Sequence, residues 1–365
     1  MLEENVLDSI ASAEQRASRD PHGMLDLVLK FPAQCREAAN ITWHYGVGAS
    51  EAVEIRRIVV TGLGGSAIGG DFLRCLADEY GPIPVLVNRD YHLPHWVNRN
   101  TLVIAASYSG NTEETLQAIR DASRAEAQIA VVTSGGKLAD IAKQASYAYA
   151  LVPGGQPPRS ATGYMFFPQL TYLAHRSLLR HQFEHDIEET LSILESLAKR
   201  LGPDVPTDQN PAKQLARALY GKIPVIYGSQ GYRGVVAYRW KSQFNENTKI
   251  AAFSNVLPEQ NHNEILAWVQ AQKQAPNWAV IFLRDPNERF ENPRIVRRVE
   301  VTTELIRRVA PVYEVLAEGE SLLARLFSLV YIADFVSVYL AYLYGVCPTD
   351  ISYIDYLKAE LAKLG

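Results

Sequence analysis

The chain has 365 residues, enough for two domains with substantial cores, and its 47% hydrophobic and 21% charged content is an ordinary globular balance. A formal net charge of -4 gives no general attraction to nucleic acid or anionic membrane, so any anion recognition has to be local. Three scattered cysteines, Cys35, Cys75 and Cys347, form no CxxC pair; they argue against a disulfide framework and fit a reducing, cytoplasmic setting.

The start, MLEENVLDSIASAEQ, is acidic and amphipathic and lacks the basic and apolar regions of a signal peptide. Helical sequence runs over 2–30 with an interruption at 21–23, stops at Phe31 and Pro32, and resumes over 32–40. From Ile58 the pattern alternates: a strand, a helix over 67–80, strands over 83–88 and 102–107, a helix over 111–125, a strand over 129–133, a helix over 138–145, a strand over 147–152, and a long helix from 162 to about 181. A charged helix over 186–200 and the proline-rich LGPDVPTDQNPA interrupt this, and the alternation then begins again. Strands are predicted at 223–227, 250–254, 278–283 and 312–315, and helices at 235–246, 265–271, 293–310, 321–344 and 354–364. Strands alternating with helices make a parallel sheet flanked by helices. The fold class is therefore α/β, with two similar domains: a helical extension over 1–50, a first domain over 51–180, a helical linker over 181–211, and a second domain with a helical tail over 212–365. The run 328–346 comes nearest to bilayer length, but Asp334 and several tyrosines interrupt it, and it reads as a buried helix.

Two stretches carry chemistry. IVVTGLGGSAIGGD (58–71) and TLVIAASYSGNTEET (101–115) each pass from β-forming residues through a small-residue turn into helical sequence. Strand, Gly/Ser loop and helix is how α/β proteins aim backbone N–H groups at a phosphate. The first loop offers Gly62, Gly64, Gly65 and Ser66; the second offers Ser107, Ser109, Gly110, Asn111 and Thr112. Glycines allow close backbone approach and hydroxyls add neutral donors and acceptors. On neighbouring strands the two loops converge on one anion of roughly monophosphate size.

Further motifs follow in order: an arginine in PPRSATGY, a glutamate in FNENTK, a histidine in PEQNHNE and the terminal PTDISYIDYLK. With the two loops, these residues resemble the sugar isomerase (SIS) domain family and, more narrowly, the bifunctional phosphoglucose/phosphomannose isomerases of archaea and bacteria. The resemblance spans nearly the whole chain. It implies two SIS-type domains and reversible aldose–ketose isomerisation of six-carbon sugar 6-phosphates through a cis-enediol(ate), with no metal or cofactor. It also implies the roles. Gly64, Gly65, Ser66, Ser107, Ser109 and Thr112 would bind the phosphate. Glu246 would move a proton between the first two carbons, with Arg159 beside the developing enediolate. His262 would open the pyranose ring, Lys358 would assist or hold a ring hydroxyl, and Thr349 would mark the space for rotation about C2–C3. In related isomerases the histidine reaches in from a partner subunit, so a homodimer is implied; no nucleic-acid or membrane partner is.

Each signal has a plainer reading. The segment 62–67 also fits GxGxxA, the dinucleotide fingerprint, but Asp90 lies later than a ribose-binding acid should and follows Arg89. Glu246 could be a solvated helix-end carboxylate, Arg159 a surface arginine, Lys358 an exposed lysine of a terminal helix, and His262 a residue near a helix start capped by Asn261. His181, Glu184 and His185 match HxxEH, a zinc-protease form, although a solvated helix face accounts for them. GSQGYRG looks like a third phosphate loop that serves as a structural turn. A non-catalytic SIS module that senses a sugar phosphate is the rival function; it would lack an acid–base set in the second half. An amidotransferase-type isomerase half would need a glutaminase domain with an N-terminal nucleophilic cysteine, and the sequence has none.

Overall fold

Uninterrupted apolar runs such as RIVVT and TLVIAA suit strands buried on both faces, and such strands pair in parallel beneath helices. A computed structural model describes residues 6–45, 54–287 and 291–364. The chain divides into two units: an N-terminal unit of Lys30–Glu195 with Gly319–Leu326, and a C-terminal unit of Met1–Leu29, Ser196–Glu318 and Phe327–Gly365. The expected boundary between extension and first domain, at residue 50, lies outside the described residues.

The N-terminal unit holds β1 (Trp43–His44), β2 (Arg57–Thr61), β3 (Val85–Asn88), β4 (Thr101–Ala106), β5 (Gln128–Thr133) and β6 (Ala148–Leu151), in the order β1-β6-β5-β4-β2-β3. All neighbours are parallel except β1, which runs antiparallel to β6 at the edge. Val59, Val103, Ala105 and Val131 face Leu116 and Ile119 of the helix Glu113–Arg124, forming one core layer. On the other side the helix Gly64–Tyr80 lies so close to β2 that a Cβ on Gly70 would stand 2.7 Å from a Val60 methyl. Only glycine permits that approach.

The C-terminal unit holds β7 (Ile223–Ser229), β8 (Phe253–Leu257), β9 (Trp278–Arg284) and β10 (Val312–Leu316), all parallel in the order β10-β9-β7-β8. Tyr227, Val280 and Phe282 of the sheet pack with Trp268, Val299 and Ile306. Residues 6–29 belong to this unit: Asp20 accepts the N–H groups of Met24 and Leu25 at 2.8 and 2.9 Å, and the Tyr342 hydroxyl at 2.8 Å.

Among the described residues one helix, Leu322–Tyr344, is long and apolar enough to cross a membrane, and 89% of its apolar window is buried inside the protein. That agrees with the expected buried helix.

The helical sequence expected over 2–30 is reduced, among the described residues, to Ala13–Arg16 and Met24–Leu29, the helix expected to reach about 181 ends at His175, and three further elements depart from the sequence reading. The strand expected over 250–254 is β8, three residues later, because Lys249 adopts a left-handed conformation that turns the chain before pairing starts. The helix expected over 265–271 is a run of 3-10 turns, Glu264–Val269, Ala271–Lys273 and Ala275–Asn277, the last with Pro276 in its first turn. The helix Glu184–Leu201 begins after His181, so His181 and His185 do not share a helix face; His181 instead pairs with Asp186 at 2.9 Å and stacks on Tyr80.

Candidate active site

The order of the N-terminal sheet reverses at β2, with β3 on one side and β4 on the other. In open α/β sheets the crevice at such a reversal, beyond the carboxyl ends of the strands, is where ligands bind. The two hydroxyl-bearing loops leave β2 and β4 there. They are joined: Ser66 Oγ accepts the backbone N–H of Tyr108 at 3.1 Å. The hydroxyls of Ser107 and Thr112 share a 2.9 Å hydrogen bond, and Ser107 Oγ accepts the Gly110 N–H at 3.1 Å. Thr112 is the N-cap residue of Glu113–Arg124 and Leu63 that of Gly64–Tyr80, and neither residue's side chain caps its helix. Two helix N-termini therefore face one crevice with their partial positive charge, which suits a phosphate. Ser66 and Ser107 are buried and fixed, Thr112 is half-buried, and Ser109 is exposed with its Oγ accepting the Asn111 N–H at 3.3 Å. Tyr108 braces the second loop: its hydroxyl donates to the Pro153 carbonyl at 2.9 Å, and burial pushes its phenol pKa up.

Arg159 is only 3% exposed and sits in the 3-10 turn Pro158–Ser160. That turn lies directly on the first loop, since a Cβ on Gly65 would stand 2.7 Å from the Pro158 carbonyl oxygen. Gln34 holds it from outside, donating from Nε2 to the Ser160 carbonyl at 2.9 Å. The N-terminal unit thus brings Gly64, Gly65, Ser66, Ser107, Ser109, Thr112 and Arg159 together.

In the C-terminal unit the corresponding reversal, between β9 and β7, is filled by side chains. Arg233 donates from Nε to Ser229 Oγ at 2.9 Å and lies 3.9 Å from Asp285 and 3.6 Å from Glu291, all of them nearly fully buried. Carboxylates at the crevice repel a phosphate, so GSQGYRG is the structural turn expected of it.

Glu246 is half-buried and lies in a single π turn, Phe244–Thr248, that extends the helix Tyr232–Gln243. Such turns concentrate at functional sites. Here the turn moves Glu246 off the regular helix end on which the sequence reading had put it. The buried residues around it anchor it to the helix Leu322–Tyr344: Arg239 donates to both oxygens of Asp334 at 2.9 and 3.2 Å, and the Thr248 hydroxyl donates to the Ser337 carbonyl at 2.8 Å. Thr349 is half-buried, with its hydroxyl 3.1 Å from Cys347 Sγ. Lys249 links this loop to the Glu246 turn by donating to the carbonyls of Glu246 and Pro348. Nothing in a composition or a spacing marks Lys249; its place directly after the FNENT turn is the only sequence signal.

His262 ends the 3-10 turn Glu259–His262 and is exposed. Its neighbour Asn261, rather than capping a following helix, fixes this segment by donating to Thr302 Oγ1 at 3.0 Å and accepting from Arg298 at 3.2 Å. Lys358 is exposed on the helix Ser352–Leu361, none of whose residues is buried. Within this unit Glu246 and Thr349 are linked, while His262 and Lys358 stand on other exposed elements.

Sequence comparison agrees with this architecture. Residues 53–168 match the SIS domain, and residues 208–361 match the bacterial phospho-glucose isomerase C-terminal SIS domain. The chain therefore carries two SIS domains. It is similar to a bifunctional phosphoglucose/phosphomannose isomerase from Caldicellulosiruptor bescii, 42% identical over 93% of this chain and 99% of that one. A protein of the same description from Thermoplasma acidophilum is 38% identical over 84% of this chain and 89% of its own length. Among solved structures, a glucose-6-phosphate isomerase-like protein from Thermus thermophilus has a similar fold, with a TM-score of 0.60 at 20% identity over 97% of this chain and 98% of that one. The chain belongs to the bifunctional phosphoglucose/phosphomannose isomerase family.

Proposed function

We propose that this protein is a sugar-phosphate isomerase that interconverts glucose 6-phosphate and mannose 6-phosphate with fructose 6-phosphate. The observation that carries the reading is the pair of hydroxyl-bearing loops at the sheet reversal, joined through Ser66 and Tyr108. The amides of Gly64 and Gly65 and the hydroxyls of Ser66, Ser107, Ser109 and Thr112 hold the phosphate, an anchor that is the same for all three sugars. His262 assists ring opening. The Glu246 carboxylate takes the proton from C2 of the aldose as the C2–H electron pair forms the C1=C2 bond and O1 takes the charge, giving a cis-enediolate; the hydroxyl proton passes from O2 to O1, and protonation of C1 by the Glu246 carboxyl as the C2=O2 bond forms gives the ketose. One base serves for both steps because the carboxyl that takes a proton from one carbon can return a proton to its neighbour on the same face, and exchange of that proton with solvent lets deuterium enter at C2. Arg159 stands by the enediolate oxygens, where a fixed cation stabilises charge that exists only after proton removal. Lys358 holds a ring hydroxyl. Thr349 borders the space in which the enediolate turns about C2–C3, so that the same carboxylate meets either face of C2 and yields both epimers. No step calls on a metal or cofactor.

The exposure of His262 on a pinned turn supports a homodimer in which each subunit lends this histidine to its partner. The reading places the protein in the cytoplasm, in carbohydrate metabolism.

The test is to incubate purified protein with fructose 6-phosphate and follow both aldose products, alongside Glu246→Gln in deuterated water. Turnover by the wild type, with loss of C2 deuterium incorporation but retained substrate binding in the variant, is the expected result. Binding without turnover in the wild type would instead identify a sugar-phosphate sensor.

A further inference from the structure

Lys249 follows the π turn with φ 61° and ψ 29°, a left-handed conformation that few non-glycine residues adopt. Glycine or asparagine would make this turn with less strain, so a lysine here points to a use for its side chain. That side chain folds back: Nζ donates to the carbonyl of Glu246 and, at 3.2 Å, to the carbonyl of Pro348, 99 residues further along. Pro348 directly precedes Thr349, whose hydroxyl is 3.1 Å from Cys347 Sγ. One ammonium thus ties the turn that carries Glu246 to the loop that carries Thr349. Its three rotatable donors can serve two carbonyls from separate segments, whereas an arginine presents its donors in one planar fork.

We propose that Lys249 is a positioning residue that sets the separation of Glu246 and Thr349 and thereby the partition of the enediolate between the glucose and mannose epimers. This rests on the roles given above to Glu246 and Thr349. The partition compares two barriers that start from one enediolate, and the two differ only in which face of C2 meets the carboxylate. A small displacement of the Thr349 loop relative to the base changes one barrier more than the other, whereas phosphate binding is untouched. A lysine that merely finished the helix would act on stability instead.

Two variants separate these roles. Lys249→Gly keeps the left-handed turn and removes the ammonium; Lys249→Met keeps the apolar stem and removes the ammonium. With fructose 6-phosphate as substrate, both should lose kcat by about tenfold with KM within about twofold, the pattern of a misplaced rather than an unbound substrate. The mannose-to-glucose product ratio should move by about threefold or more, and the shift should be non-additive with that of Thr349→Ala, as expected of residues acting through one contact. Should Lys249→Met fail to fold, Lys249→Gly carries the test alone, because glycine relieves the turn. A wild-type ratio and kcat in Lys249→Gly overturns the proposal, as does an effect in Lys249→Met that glycine abolishes, since the role is then one of backbone alone. Glu246→Gln run in parallel tells the two levels apart: if it still exchanges the C2 hydrogen, the base assignment falls and Lys249 has nothing to position. A Glu246→Gln that no longer exchanges the C2 hydrogen, beside a wild-type-like Lys249→Gly, removes Lys249 only.

Discussion

Asn247, the residue after Glu246, donates from Nδ2 to Ser337 Oγ at 3.0 Å, and Ser337 Oγ in turn donates to the Asp334 carbonyl at 3.0 Å. Both side chains are buried. The π turn is therefore held to a long core helix by a chain of hydrogen bonds that water does not reach. Ser337→Ala removes the acceptor of one buried hydrogen bond, which costs about 1 kcal/mol. Urea denaturation should show that loss, and kcat should fall with it because Glu246 is no longer fixed. A stability loss with unchanged kcat would mean that the turn keeps its shape without this anchor.

Gly65 offers a test of the arginine turn. A methyl there meets the Pro158 carbonyl oxygen at 2.7 Å and the Arg159 nitrogen at 3.3 Å. Gly65→Ala must push the turn carrying Arg159 away from the phosphate loop. An expected loss on the order of 10- to 100-fold in kcat/KM follows from misplacing the group proposed to stabilise the enediolate. Steady-state kinetics on a variant with wild-type circular dichroism makes the measurement, and full activity would move Arg159 out of the role assigned to it.

The serines of the two loops should not behave alike. Ser109 is exposed, and its removal should cost about 1 kcal/mol of phosphate binding, a KM raised by about fivefold. Ser66 is buried and accepts the Tyr108 N–H, so Ser66→Ala should lower the thermal midpoint as well as raise KM. Equal effects on stability from both substitutions would contradict the division between a hydroxyl that binds and one that also builds the loop.

Glu189 predicts a pH dependence. Burial pulls its carboxyl pKa up, but the bonds it accepts from Ser321 and from the N–H groups of Glu320 and Ser321 outweigh this and hold it below the ordinary glutamate value. A depressed carboxylate stabilises the folded state above its unfolded pKa, about 4.3, and that contribution is lost as pH falls through the lower folded value. Glu189→Gln should therefore be less stable than the wild type near neutral pH, and the gap should close in acid. Denaturant midpoints between pH 3 and 7 check this; a gap that widens in acid would reverse the sign.

Much of this molecule was legible before any coordinates. Strand periodicity and loop chemistry placed Gly64, Gly65, Ser66, Ser107, Ser109 and Thr112 on two strand-to-helix turns, since those signals are local: a β-run, a glycine, a hydroxyl, then a helix. The second sheet was equally legible, apart from the shift in β8. Local sequence could not place features that depend on partners far along the chain. The π turn at Glu246 exists because Ser337 and Asp334, about ninety residues on, anchor the residues around it. The run of 3-10 turns at 264–277, over whose first part, 265–271, the sequence predicts a helix, is pinned at its start by Thr302 and Arg298 contacts to Asn261.

The same division applies to the site. By itself the sequence determined that two hydroxyl-bearing strand-to-helix loops lie in one half of the chain and that the residues proposed as its acid–base set lie in the other, because residue type and order are enough for that. Only the tertiary structure decided that the second sheet's crevice is closed by Arg233, Asp285 and Glu291, and that Lys249 joins the Glu246 turn to the Thr349 loop. The reason is physical: a hydrogen bond or ion pair between residues 50 to 100 positions apart depends on how strands are ordered and helices are laid across them, and no local pattern encodes that geometry.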